Sequence, residues 1–77
     1  MSFWDKYKKT NKELDVILAG VANNAANNYK DAAQKYFKEF LAKFEELKAS
    51  GKLNEKQLSF YEGQKTKYEK ELKGFHH

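Results

Sequence analysis

Asn23-Asn24-Ala25-Ala26-Asn27-Asn28 is the stretch on which the fold turns. Asn favours caps and turns over helix interiors because its short amide competes for nearby backbone groups. A break here makes three helices of similar length, able to close a small core as a monomer. Against a break, Leu18, Val21, Ala25, Tyr29, Ala32 and Tyr36 stay in helical phase across the cluster, as they would in one helix from about Glu13 to Ala49, roughly 55 Å long at 1.5 Å per residue. That long helix with a shorter return would leave part of its apolar face uncovered and need a partner. The expected fold is therefore all-α, a small three-helix bundle, with a long helical hairpin that dimerises as the alternative.

Downstream the pattern is clearer. Tyr29, Ala33, Tyr36, Phe37, Phe40, Phe44 and Leu47 form an apolar row rich in aromatic residues, while Asp31, Lys35, Glu39 and Lys43 follow one another at intervals of four on the other side. Each neighbour in that ladder is an opposite-charge pair worth roughly 0.2 to 0.5 kcal/mol in a helix. The spacing predicts a helix over about 28–49, with Asn28 and Asp31 placed to cap its start and Gly51 supplying the left-handed residue after its end. Asn54, with Gln57 three residues on, has capping-box spacing and starts a helix over about 54–73. Leu58, Tyr61, Lys65, Tyr68, Leu72 and Phe75 keep the 3,4 spacing of a seam. A short turn between two helices makes them antiparallel neighbours, so this seam meets the aromatic row. Phe37, Phe40, Phe44, Leu58 and Leu72 are the expected core.

Upstream, Ser2 with Asp5 resembles a helix start, and Phe3, Tyr7, Leu14, Ile17, Leu18 and Val21 share a face, predicting a first helix over about 3–22. At 77 residues the chain is one domain (1–77), near the size at which a single core is only marginally stable without oligomerisation. Cys is absent, which excludes a disulfide scaffold, a thiolate metal site and a Cys nucleophile. The longest apolar run, Val16 to Ala22, is far short of the ~20 residues of a membrane span, and Glu13 and Asp15 before it do not suit a signal peptide. A soluble, cytoplasmic protein is expected.

The residues Leu47, Gly51, Leu53, Asn54, Glu55 and Leu58 within LKASGKLNEKQL occupy the places of the hinge in the short C-terminal helical-hairpin domain called SHOCT, which this segment resembles. The resemblance covers residues 47–58 and implies an interaction or oligomerisation hairpin. Where that family has a basic residue and a Leu pair beyond the anchor, this chain has Glu62 and Lys65-Thr66.

No constellation points to catalysis. The histidines, His76 and His77, are the last two residues and read as a tag remnant; no nucleophile and base, paired carboxylates, metal-ligand spacing or Gly-rich phosphate loop is evident. No enzyme, cofactor, metal site or small-molecule substrate is expected. The 15 basic residues are all Lys, so the planar guanidinium used for bidentate base readout is missing. Lys6, Lys8, Lys9 and Lys12, with Phe3, Trp4 and Tyr7 among them, are candidate contacts for an anionic partner, but Glu13 to Asn28 carries no Lys and confines that basic surface to the N-terminus.

The leading expectation is a small non-enzymatic protein-protein interaction module. It would act as a regulator or inhibitor of the kind found in phages and mobile elements, with another protein or a second copy as partner. Trp4, Tyr7, Tyr61 and Tyr68 are the expected contact residues, because Trp and Tyr are favoured interface anchors. The alternatives are a non-specific nucleic-acid binder using its lysines and a peripheral attachment of the basic aromatic N-terminus to an anionic membrane.

Overall fold

A computed structural model of the chain describes residues 10–73, which form three helices: α1, Lys12–Ala26; α2, Lys30–Ala49; and α3, Glu55–Lys73. The chain is a small all-α three-helix bundle. The Asn cluster does break the helix, but late. Asn23 and Asn24 remain inside α1, and the turn falls at Asn27 and Asn28 rather than after residue 22.

What keeps the first asparagines helical is visible in their partners. Asn24 and Asn27 donate their Nδ2 groups to the carbonyls of Gly20 and Asn23, four residues back, at 2.7 and 2.8 Å. The helix then ends at Asn28, which takes the left-handed conformation (φ 61°) that few residues other than Gly and Asn adopt at low cost. The Asn28 N–H donates to the Ala25 carbonyl and the Tyr29 N–H to that of Asn24, the paired bonds of a Schellman motif. Asn28 therefore closes α1 instead of capping α2, whose N-cap is Tyr29 without a side-chain bond.

The second turn repeats the device with glycine. Gly51 has φ 70°, its N–H donates to the Lys48 carbonyl, and the Lys52 N–H donates to that of Leu47. Two residues after Lys52, Asn54 and Gln57 complete the expected capping box. Each accepts the other's backbone N–H on its side-chain oxygen, at 2.8 and 2.9 Å.

The beginning of α1 differs from the expected helix over 3–22. Asn11 is extended (φ −128°, ψ 127°) and its side chain accepts the N–H of Leu14 at 3.1 Å, so it is an N-cap. A helix cannot run unbroken from Phe3 through a residue in that conformation. Phe3 itself, with the Ser2 and Asp5 start, lies outside the described residues, as does Phe75.

Side-chain pairings set the helix directions. Glu13 meets Lys43 and Gly20 meets Tyr36, so α1 and α2 are antiparallel. Phe37 lies tilted against Tyr68 and Phe44 against Tyr61, so α2 and α3 are antiparallel too. Consequently α1 and α3 run parallel, Asp15 beside Tyr61 and Ala22 beside Tyr68. Between them the core gathers Leu14, Leu18 and Val21 from α1, Ala33, Phe37, Phe40, Phe44 and Leu47 from α2, and Tyr61, Tyr68 and Leu72 from α3, with Leu53 of the turn closing one end.

Aromatic rings make the centre of this core. Phe40 stacks on Phe44 at 5.7 Å between centroids, and Tyr61 tilts against both at 6.1 and 6.2 Å. Such offset and tilted pairs add roughly 0.5 to 1.5 kcal/mol each to the burial of their area. The expected core is thus present at Phe37, Phe40, Phe44 and Leu72, while Leu58 is only half-buried at its margin. The aromatic row is shorter than expected, for Tyr29 and Tyr36 face outward, 62% and 38% exposed. Among the described residues, no helix is long and apolar enough to cross a membrane.

Candidate interaction surface

The two expected contact residues among the described residues, Tyr61 and Tyr68, are not at the surface. Tyr61 is fully buried and Tyr68 nearly so, and neither can anchor an external partner; both are core residues. Their hydroxyl-bearing rings enter the interior because each is lodged among aromatic neighbours, Tyr68 with Phe37 at 6.5 Å and under the Lys67 ammonium at 5.1 Å. Trp4 and Tyr7, the other two, lie outside the described residues. Of the four candidate anion contacts, Lys6, Lys8 and Lys9 also lie outside them, and Lys12 is exposed in the first turn of α1.

A buried phenol demands partners, and Tyr61 has them. Its O–H donates to Asp15 Oδ1 at 2.5 Å and its oxygen accepts the Asn11 N–H at 2.6 Å, with the Asn11 carbonyl 3.2 Å away. One turn earlier on α3, Gln57 donates Nε2 to the Thr10 carbonyl at 2.8 Å. Burial, reinforced by the hydrogen bond to Asp15, pushes the Tyr61 phenol well above its ordinary value of 10.0. A phenol so held is a poor acid, and its bonds fasten the start of α1 to α3. This polar cluster is a structural tie, since every buried side-chain N and O among the described residues has a partner.

Charge pairs elsewhere also serve the frame. Lys43, the last rung of the expected ladder, leans across to Glu13 of α1 at 2.9 Å and to Glu46 at 3.6 Å. The hydrogen bond and charge of Glu13 hold its ammonium above the usual lysine value. Lys48 of α2 reaches Glu62 of α3 at 3.4 Å. These are exposed pairs of small energetic weight. Among the described residues, no three His, Cys, Asp or Glu side chains converge on a metal-sized site.

Among the described residues, apolar surface meets solvent most openly in two places. One is a groove of about 360 Å³ between α2 and α3, floored by Phe37, Leu41 and Leu72 and edged by Lys38, Glu69 and Lys73. The other is the outer face of α1. From Val16 to Tyr29 the sequence carries no charged residue over 14 positions, in a chain that is 34% charged. Leu14, Leu18 and Val21 turn inward, which leaves Val16, Ala19, Asn23 and Ala26 outward at helical spacing. Val16 is 64% exposed, the most exposed large apolar side chain among the described residues.

Tyr36 borders this face. Its ring lies over Gly20, so closely that a Cβ on that glycine would come within 2.9 Å of Cδ1. The missing side chain is the socket in which the ring rests, with its edge left in solvent. Beyond it Tyr29 stands at the α1–α2 turn. The helical phase of Tyr29 and Tyr36 predicts burial in the aromatic row, and both are exposed instead. The absence of Lys between Glu13 and Asn28, which limits the basic surface, was the available signal for a neutral face. Comparison with family models, with curated proteins and with solved structures finds no match to this chain.

Proposed function

We propose that this chain is a small, non-enzymatic, cytoplasmic interaction module that meets another protein surface through the outer face of α1, with Tyr36 and Tyr29 along its border. The observation that carries this reading is the exposure of Val16 at 64%, at the start of a row of exposed uncharged positions, Val16, Ala19, Asn23 and Ala26, with the charged Lys12 and Asp15 beside it at one end. Apolar groups scattered over a surface are ordinary, but protein interfaces are distinguished by a core depleted in charge and by enrichment in aromatic residues. The outer faces of α2 and α3 alternate Lys and Glu and suit solvent. With its polar cluster committed to holding helices together, the module acts by occupancy, as a regulator or inhibitor does. The resemblance of residues 47–58 to the SHOCT hairpin points in the same direction.

A photo-crosslinking amino acid placed at Ala19 tests this in cells, against the same group at Thr66, which is exposed on α3. A discrete adduct from position 19 and none from position 66 is the expected result. Equal labelling from both, or none from either, would overturn the reading.

A further inference from the structure

We infer that the partner of the α1 face is a second copy of this chain, paired across a two-fold axis with the two α1 helices antiparallel. This inference rests on the reading of α1 as the contact face. In an isologous contact each residue near the axis lies opposite itself or its near neighbours, so a lysine there faces a lysine. A surface suited to self-pairing must therefore be neutral near its centre, a condition that a contact with a different protein does not impose. The protein carries a formal charge of +4, and the exposed positions of α2 and α3 include lysines along their whole length. On α1, Val16, Ala19, Asn23 and Ala26 meet the condition, and the charged Lys12, Glu13 and Asp15 lie toward one end, Lys12 and Asp15 beside Val16 and off the centre.

The shape agrees with the charge. An antiparallel crossing centred midway between Ala19 and Asn23 sets Val16 opposite the partner's Ala26 and Ala19 opposite the partner's Asn23. A large residue then faces a small one, and the amide of Asn23 lies close to the two-fold axis. Small side chains let helix axes approach to about 8 Å, the lower end of ordinary packing. Two α1 helices alone bury less than the roughly 800 Å² per partner of a standard interface. The pairing is accordingly weak.

Sedimentation equilibrium of the full chain from about 10 µM to about 1 mM tests the pairing over a span that reaches weak association. The mean mass should rise from 9.0 kDa toward twice that value. Asn23→Lys and Asn23→Glu, both good helix formers at an exposed position, should each weaken association at least tenfold, and an equimolar mixture of the two should recover it. Unchanged helicity by circular dichroism identifies these as surface effects. A constant mass for the wild-type chain, or a rise insensitive to both substitutions, would overturn the inference. The crosslink at Ala19 separates it from the broader reading. An adduct of twice the chain mass supports a second copy; an adduct of another mass, with constant wild-type mass, overturns the second copy and leaves α1 as a contact face.

Discussion

The hydroxyl of Tyr61 lies 2.5 Å from the carboxylate of Asp15, joining residues 46 positions apart and locking the first turn of α1 to the middle of α3. With Gln57 gripping the Thr10 carbonyl, it is the polar counterpart of the aromatic core. Removing the hydroxyl with Tyr61→Phe keeps the ring among Phe40 and Phe44 but strands the Asn11 N–H and the Asp15 carboxylate. An unsatisfied, partly buried group costs about 1 to 3 kcal/mol. Urea unfolding should show a loss in that range, and Tyr61→Phe combined with Asp15→Asn should lose less than the sum of the single changes.

The same phenol makes stability fall at alkaline pH. Its value in the folded chain is raised above the 10.0 of the unfolded chain, so the unfolded state releases the proton first. The stabilisation is complete below pH 10 and is lost as pH climbs from there through the folded value. The slope from this group is at most that of one proton, about 1.4 kcal/mol per pH unit. Lys43, also raised, acts in the same direction above its ordinary 10.5. In Tyr61→Phe the decline above pH 10 should become shallower, as read from urea midpoints across that window.

Asn28 and Gly51 occupy equivalent left-handed positions in the two turns. Asn28→Ala should cost up to about 1 kcal/mol, because Ala keeps the Cβ but lacks the short amide that lets Asn adopt this conformation, whereas Asn28→Gly, which removes the Cβ, should be neutral or stabilising. Gly51→Ala, which adds a Cβ in that conformation, should cost more, about 1 to 2 kcal/mol, even though open space surrounds its Cα. Thermal denaturation of the three variants checks the comparison; equal effects of Ala and Gly at 28 would contradict it.

Gly20 supplies a test in which the sign changes with its neighbour. Gly to Ala inside a helix ordinarily gains about 1 kcal/mol. Here the new methyl meets the base of the Tyr36 ring at 2.9 to 3.1 Å, so Gly20→Ala alone should gain nothing or destabilise. In a Tyr36→Ala background the clash is gone, and the same substitution should stabilise by about 1 kcal/mol. A double-mutant cycle measured by urea unfolding reads the difference.

The parts of this fold legible in the sequence are those whose causes are local. The Gly51 turn and the Asn54–Gln57 box involve groups three to five residues apart, and the row from Ala33 to Leu47 repeats often enough to fix its phase. Harder to read was the start of α1. The pattern Asn11, Glu13, Leu14 marks an N-cap, yet Phe3 and Tyr7 continue the apolar phase upstream and mask it. The asparagines misled in the other direction, because an amide bonded to a carbonyl four residues back sits in a helix without breaking it. The inward fate of Tyr61 depended on Asn11 and Asp15, and long-range pairing of that kind leaves no periodic trace. Exposed Tyr36 likewise followed from Gly20 on another helix, where the ring found a socket outside the core.

Three is an odd number of helices, and because α1 and α3 run parallel the path enters at Thr10 on one end of the bundle and leaves after Lys73 at the other. Thr10 and Lys73 are therefore held apart by about the length of a helix, about 28 Å for the 19 residues of α3. Tension applied between those two points would slide the helices along one another rather than peel them open turn by turn. Its first resistance would come from the Tyr61–Asp15 tie, which lies across that direction of slip.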